Sequence, residues 1–284
     1  MDQPTPHARE FAGESWDPAQ YLKFSDHRLR PALDLIERVP LAEPSRIYDL
    51  GCGSGHITRM LADRWPQATV VGMDNSPQML AKARATPSRV HWEQGDLADW
   101  RAPPPPPAPP APAAPPSLLF SNAAIQWLPD HATLIPRLWS LLRAGGCLAV
   151  QAPLSWDQPS HRLMRETLAD GGTGGSPLGS AELRQAVGNR WLHEPGFYYD
   201  LLAPGAAHIE VWTTEYLHAL TGPNPVLEWV TATGLRPFLT GLGDADRAAF
   251  LDQYRARLRD AYPRRADGVT LYPFRRLFFV AVRR

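Results

Sequence analysis

The chain has 284 residues with 29 basic and 29 acidic side chains, so its formal charge at pH 7 is zero with histidine neutral. That balance argues against a dedicated nucleic-acid binder, which carries a basic excess. No apolar run approaches the length of about 18 residues that a membrane-spanning helix needs. The polar N-terminus lacks the apolar core of a secretory signal, so a cytoplasmic protein is expected. Two cysteines, Cys52 and Cys147, make neither a disulfide framework nor a zinc site. Nine scattered histidines include no ligand pair of the H-E-x-x-H kind, so no catalytic metal is expected. Proline is the compositional outlier, with 31 residues, and ten of them crowd into 103–116.

Residues 1–15 read as a disordered start, and Trp16 to Phe24 as a short aromatic helix. Pro31 fits the first turn of a helix that carries Leu33, Ile36 and Val39 on one face. From Arg46 onward, strands and helices alternate. Ile47 to Leu50 is the first strand, followed by a helix with Ile57, Met60, Leu61 and Trp65. Thr69 to Met73 is the second strand, ending at Asp74. Ser76-Pro77 opens the next helix, with serine as the cap and proline at the first helical position. Arg89 to Trp92 reads as a third strand, ending near Asp96. The proline tract offers neither ladder donors nor helix bonds, so it reads as a polyproline-like or disordered surface loop. Leu118 to Asn122 is a fourth strand, 131–142 a helix, and Cys147 to Val150 a fifth strand. After Pro153 the rhythm changes to helices over 158–170, 180–191, 224–233 and 244–262. A strand over His208 to Leu217 lies among them, and a final strand follows over 276–283. Alternation of this kind implies a parallel sheet covered on both faces. The layout reads as one domain over 16–284. Its core is 45–153, and its helical additions fall within 154–262.

The run Asp49-Leu50-Gly51-Cys52-Gly53-Ser54-Gly55 stands between the first strand and the helix after it. Glycines at such a junction let the backbone turn tightly and approach a ligand. The spacing is not that of a phosphate loop, which needs a lysine after its last glycine. Nor is it the dinucleotide fingerprint, because His56 stands where the third glycine belongs. A carboxylate two positions before the first glycine suits a ligand with a positive centre better than a pyrophosphate. Two more acids, Asp74 and Asp96, close the second and third strands. Ligands of α/β sheets sit at these carboxyl ends.

The pattern D-x-G-x-G-x-G resembles the first motif of class I S-adenosylmethionine-dependent methyltransferases. The resemblance implies a Rossmann-like α/β fold. Its sheet would have seven strands, mostly parallel with the last one antiparallel, and extra helices would cover the acceptor site. It also implies S-adenosyl-L-methionine as cofactor. Asp49, Gly51, Gly53 and Gly55 would surround the methionine part, and Asp74 would accept the ribose hydroxyls. Asp96 would meet the adenine amino group with Leu97 beside the ring, and Asn75, Met79 and Asn122 would complete the set.

Longer segments are similar to the trans-aconitate 2-methyltransferases. They are S-N-A-A-I-Q-W-L-P-D-H from Ser121, Y-L-K-F from Tyr21 with R-x-R-P from Arg28, W-V-T-A-T-G-L-R-P from Trp229, and P-F-R-R-L-F from Pro273. The likeness runs in order from about Trp16 to the C-terminus. The proline tract and the 171–179 loop depart from the pattern, and Ser117 stands where that family starts its fourth strand with an acid.

The likeness implies methyl transfer to a carboxylate of a small polyacid. Such an acceptor, with a pKa of about 4, is already ionised at pH 7 and needs no general base. It does need cations, and the planar fork of arginine matches a carboxylate. The candidates are Arg28, Arg30, Arg236, Arg275 and Arg276. Trp127, Trp229 and Thr231 would line the acceptor pocket. Gln126, Trp127 and Tyr21 would position the reactants, with Trp16 and Tyr21 forming a lid. Cys52 is expected to fill space and His131 to face solvent. The expected partner is a small polycarboxylate, with no nucleic acid or membrane, and the protein is expected to be a monomer. Alternatives are the same fold acting on another small acid or an acyl carrier, an NAD oxidoreductase, which His56 and Asp49 disfavour, and a docking module built on the proline tract.

Overall fold

A computed structural model of the chain describes residues 25–101, 115–231 and 233–284. The expected helix over Trp16–Phe24 and nearly all of the proline tract lie outside these residues. The chain divides into two compact units. A sheet unit comprises Arg28–Pro153, Trp191–Thr214 and Arg276–Arg284. A helical unit comprises Leu154–Arg190 and Glu215–Arg275, with residues 25–27.

The sheet has seven strands: β1 (Arg46–Leu50), β2 (Thr69–Asp74), β3 (His91–Gln94), β4 (Leu118–Asn122), β5 (Cys147–Pro153), β6 (Ala206–Leu220) and β7 (Thr270–Arg283). Their order is β3-β2-β1-β4-β5-β7-β6. The five strands from β3 to β5 run parallel, and β7 is antiparallel to β5. Central strands β1, β4 and β5 are buried almost end to end, as strands covered on both faces must be. Edge strand β3 is half exposed. The strand order reverses between β1 and β4, which fixes the ligand crevice at their carboxyl ends.

Four helices of this unit matter for the crevice. Helix α1 (Ser25–Glu37) buries Ala32, Leu35 and Ile36, with Val39 just beyond its end. Pro31 therefore lies inside α1, not in its first turn, and Leu33 is exposed. The continuous apolar face outweighs the single hydrogen bond that proline forfeits. Helix α2 (His56–Arg64) follows the glycine loop. Helix α3 (Pro77–Ala85) is capped as expected: the Met79 amide donates to Ser76 Oγ at 3.3 Å. Helix α4 (His131–Leu141) starts at Asp130, whose carboxylate accepts from the Thr133 amide.

The third strand starts two positions later than its hydrophobic run implies. Arg89 is turned back onto the carbonyls of Ala62, Trp65 and Ala68, which takes that residue out of the ladder. The final strand starts earlier than expected, because Thr270, Tyr272 and Phe274 already alternate inward.

In the helical unit, α5 (Pro159–Asp170), α6 (Ala181–Val187), α8 (Pro225–Thr231), α9 (Arg236–Thr240) and α10 (Asp244–Ala261) enclose one apolar core. Helix α10 contributes Phe250, Tyr254 and Leu258, with Tyr262 at its end and Leu251 partly buried beside them. The helix expected over 180–191 stops at Val187, before Gly188. A separate α7 (Pro195–Leu202) then forms in the sheet unit. Likewise the helix expected over 224–233 ends at Thr231, and α9 begins afresh at Arg236.

Candidate active site

The glycine loop folds back over the end of β2. The amides of Gly51 and Cys52 both donate to the Met73 carbonyl, at 2.8 and 2.9 Å. All three loop glycines are left-handed, with φ of +81°, +56° and +75° at Gly51, Gly53 and Gly55. They are glycines for different reasons. A Cβ on Gly51 would lie 2.4 Å from the Cβ of Ala124, across the crevice on the segment leaving β4. A Cβ on Gly55 would strike the ring of Trp92, which reaches over from β3. A Cβ on Gly53 would meet nothing within 4 Å, so this backbone faces open space.

Three carboxylates accompany the loop. Asp74, at the end of β2, accepts from the Gly53 amide at 2.8 Å and from the Ser76 amide at 2.9 Å. Burial raises its pKa, and the two amides oppose that rise. Each oxygen keeps a lone pair for a ligand hydroxyl. Asp49 is buried, and Thr58 of α2 donates its hydroxyl to Oδ2 at 2.6 Å. Desolvation pushes the Asp49 pKa up to about 7 despite that bond. Asp96 lies half-buried after β3 and accepts from the Ala98 amide. The buried Leu97 follows it. Arg137 of α4 fastens this loop by donating to the carbonyls of Leu97 at 2.7 Å, Ala98 at 2.9 Å and Trp100. Asn75 is exposed and Met79 half-buried beside Asp74.

At the end of β4, Ala123 adopts φ +55°, rare for a side chain with a Cβ, and its amide donates to the Gln151 carbonyl. The next residues form a tight 3-10 turn, Ile125–Trp127. Gln126 donates Nε2–H to the Ala123 carbonyl at 2.7 Å, and Trp127 is 51% exposed at the rim. Two amide oxygens here, Asn122 Oδ1 and Gln126 Oε1, are buried with no hydrogen-bond partner. His131 does not face solvent: it is fully buried, 2.6 Å from the Tyr198 hydroxyl through Nδ1 and 2.9 Å from the Ile125 carbonyl through Nε2. The carbonyl can only accept, so Nε2 carries the proton and Nδ1 accepts from tyrosine. Cys52 is buried in the loop with its thiol pKa raised, which suits the space-filling role expected of it.

Residues 47–146 match the family described as a methyltransferase domain. The chain is 48% identical to the trans-aconitate 2-methyltransferase of Azoarcus sp. (strain BH72) over 269 residues, which is 95% of this chain and 99% of the relative. It is also 48% identical to the enzyme of that name from Methylobacterium nodulans, over 94% of this chain and 98% of the relative. The chain belongs to the trans-aconitate 2-methyltransferase family. Among solved structures, phosphoethanolamine N-methyltransferase 2 of Haemonchus contortus, bound to phosphomonomethylethanolamine and S-adenosylhomocysteine, shares the fold. Its TM-score is 0.55 at 17% identity, over 97% of this chain and 60% of that one.

The family uses S-adenosylmethionine, and the crevice fits it. Gly53 presents an open cradle, Asp74 has lone pairs to spare for a diol, and Asn122 Oδ1 is a buried acceptor awaiting a donor. Of the residues that the family resemblance implies for the acceptor, the structure divides them sharply. Arg276 is buried in the sheet unit, where Nη1 donates to Gln151 Oε1 at 3.3 Å. Arg30 is exposed on α1, Arg275 is exposed, and Arg236 is half-buried at the start of α9. Trp229 is 1% exposed and spends its ring on the core of the helical unit, stacked on His218 and packed against Tyr272 and Phe274. Thr231 donates its hydroxyl to the Leu227 carbonyl within α8. Tyr21, Trp16 and the side chain of Arg28 lie outside the described residues.

Thr58, Arg137 and Gln151 were not legible as site residues. Arg137 and Gln151 meet partners distant in sequence, and Thr58 meets Asp49 only once the first strand and the helix after the glycine loop have packed. Among the described residues no cluster of His, Cys, Asp and Glu is placed to hold a metal ion. No described helix is long and apolar enough to cross a membrane.

Proposed function

We propose that this chain methylates a carboxylate oxygen of trans-aconitate, giving the monomethyl ester and S-adenosylhomocysteine. The observation that carries this reading is near full-length identity of 48% to enzymes of that name. The residues at the crevice support it. When bound, S-adenosylmethionine supplies a methyl group on a positively charged sulfur, activated for in-line displacement. Asp74 would receive the ribose hydroxyls, the loop backbone at Gly51 and Gly53 would hold the methionine part, and Asp96 with Leu97 would take the adenine. Asn122 Oδ1, buried and unpartnered, would accept from a donor of the cofactor. Gln126 and Trp127, in the turn past the end of β4, would position the acceptor against the bound cofactor.

No side chain has to take a proton, because the attacking carboxylate is already ionised. His131 is consistent with that: both its ring nitrogens are committed, so it braces the turn and is not available as a base. The protein's contribution is therefore alignment and exclusion of water. We place the enzyme in the cytoplasm as a monomer, with Arg276 first among the arginines that hold the acceptor. Incubating the pure protein with methyl-labelled cofactor and trans-aconitate should yield labelled monomethyl ester. A protein that binds the cofactor but yields no ester from trans-aconitate would sink this reading. Ester from another small acid or an acyl carrier would redirect it.

A further inference from the structure

Gln151 stands in β5, level with the last residue of β4, and is completely buried, yet its side-chain Nε2 has no hydrogen-bond partner. A buried donor left unmade costs on the order of 1–3 kcal/mol and calls for a reason. The orientation of the amide is fixed chemically. Arg276 of β7 donates to Oε1, and a guanidinium has donors only, so the oxygen must face it. The NH2 group is thereby turned away from β7. In the β4–β5 ladder Gln151 is the direct partner of Asn122, so the two side chains leave the same face of the sheet. Asn122 Oδ1 is also buried and unpartnered there, as is Gln126 Oε1 in the turn that follows β4. Three unmet amide atoms, two acceptors and one donor, thus belong to β5, to the end of β4 and to the turn after it.

The sheet order assigns them to different ligands. Asn122 is on β4, beside β1 and its glycine loop. Gln151 is one strand further out, about 10 Å from β1 at the usual strand spacing of about 4.8 Å. The cofactor's place is at β1 and β4, so a ligand group reaching β5 belongs to the acceptor. The permanent charge of Arg276 beside the amide selects an anion over a neutral carbonyl.

We infer that Gln151 is a specificity-determining residue: its Nε2–H donates to a non-reacting carboxylate of the acceptor, held beside the charge of Arg276. The inference rests on the reading of the chain as a carboxyl methyltransferase. It assigns Gln151 a donor role that leaves the attacking oxygen free, since a tight pair on that oxygen would quench it.

The test uses the full chain and three readouts: steady-state kinetics with trans-aconitate, S-adenosylhomocysteine affinity by calorimetry, and thermal midpoint. Gln151→Leu removes the donor. Gln151→Glu keeps the shape but puts a carboxylate where the donor was, so it repels the anionic acceptor. Should the leucine variant fail to fold, the glutamate variant carries the test. Both are expected to raise KM for trans-aconitate about ten- to hundredfold, the range for a hydrogen bond to a charged group, with kcat changed less. S-adenosylhomocysteine affinity is expected to stay within twofold. Preference for trans-aconitate over a dicarboxylate lacking one of its carboxyl groups should fall in parallel. An unchanged KM overturns the inference. So does a loss of cofactor affinity and thermal midpoint together with an unchanged preference, which would make Gln151 a brace for Arg276 only. A wild-type protein that binds the cofactor and leaves trans-aconitate untouched removes the underlying reading instead.

Discussion

Asp49 and Asp74 sit at neighbouring strand ends, and their surroundings set them to different work. Asp74 is half-buried, accepts two backbone amides and has lone pairs left for a diol. Asp74→Ala should weaken S-adenosylhomocysteine binding by about 1–3 kcal/mol, the scale of hydrogen bonds lost in a buried site. Calorimetry checks this, and unchanged affinity would refute the assignment. Asp49 is sealed in with Thr58, and burial lifts its pKa to about 7. In the unfolded chain it titrates near 4, about the ordinary value. Between these values the folded state binds the extra proton. The contribution of Asp49 to stability is therefore fully present below about pH 4 and is lost as pH rises through about 7. Urea midpoints of wild type and Asp49→Asn should diverge across this window, with wild type losing ground towards pH 8. Parallel curves would contradict it. Both aspartates could be read from the sequence, because strand ends beside a glycine loop are marked by local pattern. Thr58 and Arg137 could not, because their partners are set by tertiary packing.

At the scale of elements, the glycine loop separates structure from binding. Gly51→Ala puts a Cβ into Ala124 as well as forcing a left-handed alanine, while Gly53→Ala incurs only the second cost, about 1–2 kcal/mol. The first substitution should lower the thermal midpoint markedly more. The second should keep most of the stability and lose cofactor affinity, because its methyl group enters the cradle. Equal effects on both readouts would contradict this division.

The turn Ile125–Trp127 has a similar anchor in His131, clamped between the Ile125 carbonyl and the Tyr198 hydroxyl. Tyr198→Phe leaves a buried nitrogen without its donor and should cost about 1–3 kcal/mol of unfolding free energy in denaturant titration. A change inside experimental error would mean the clamp is unimportant. The periodic strands and helices around these elements were predictable because each is written in a short window. The inward position of His131 was not, since it depends on α7, a helix that the sequence pattern did not reveal. Pro31 misled in the opposite sense: a residue favoured in first turns stands here inside a helix whose buried face runs past it.

For the molecule as a whole, the parallel sheet with its antiparallel β7 could be foreseen, but the division into two compact units could not. The helical unit gathers residues 154–190 and 215–275, which are separated in the chain and joined by a core around Trp229, Phe250 and Tyr272. Local composition does not reveal such long-range grouping. It also changes the weight of the family-like residues. The W-V-T-A-T-G-L-R-P segment owes much of its character to that core and to tight packing: a Cβ on Gly234 would press on His161 at 3.1 Å. The overall charge of zero fits the proposed reading, in which a buried arginine, Arg276, and not a basic surface would meet the anionic acceptor.

The most direct test of the central claim is to measure kcat/KM side by side for trans-aconitate, cis-aconitate, citrate and isocitrate with saturating S-adenosylmethionine. Trans-aconitate should give the monomethyl ester at an efficiency at least about tenfold above the others, a margin worth roughly 1.4 kcal/mol in the transition state. Equal efficiencies, or a preference for any of the other three, would contradict it.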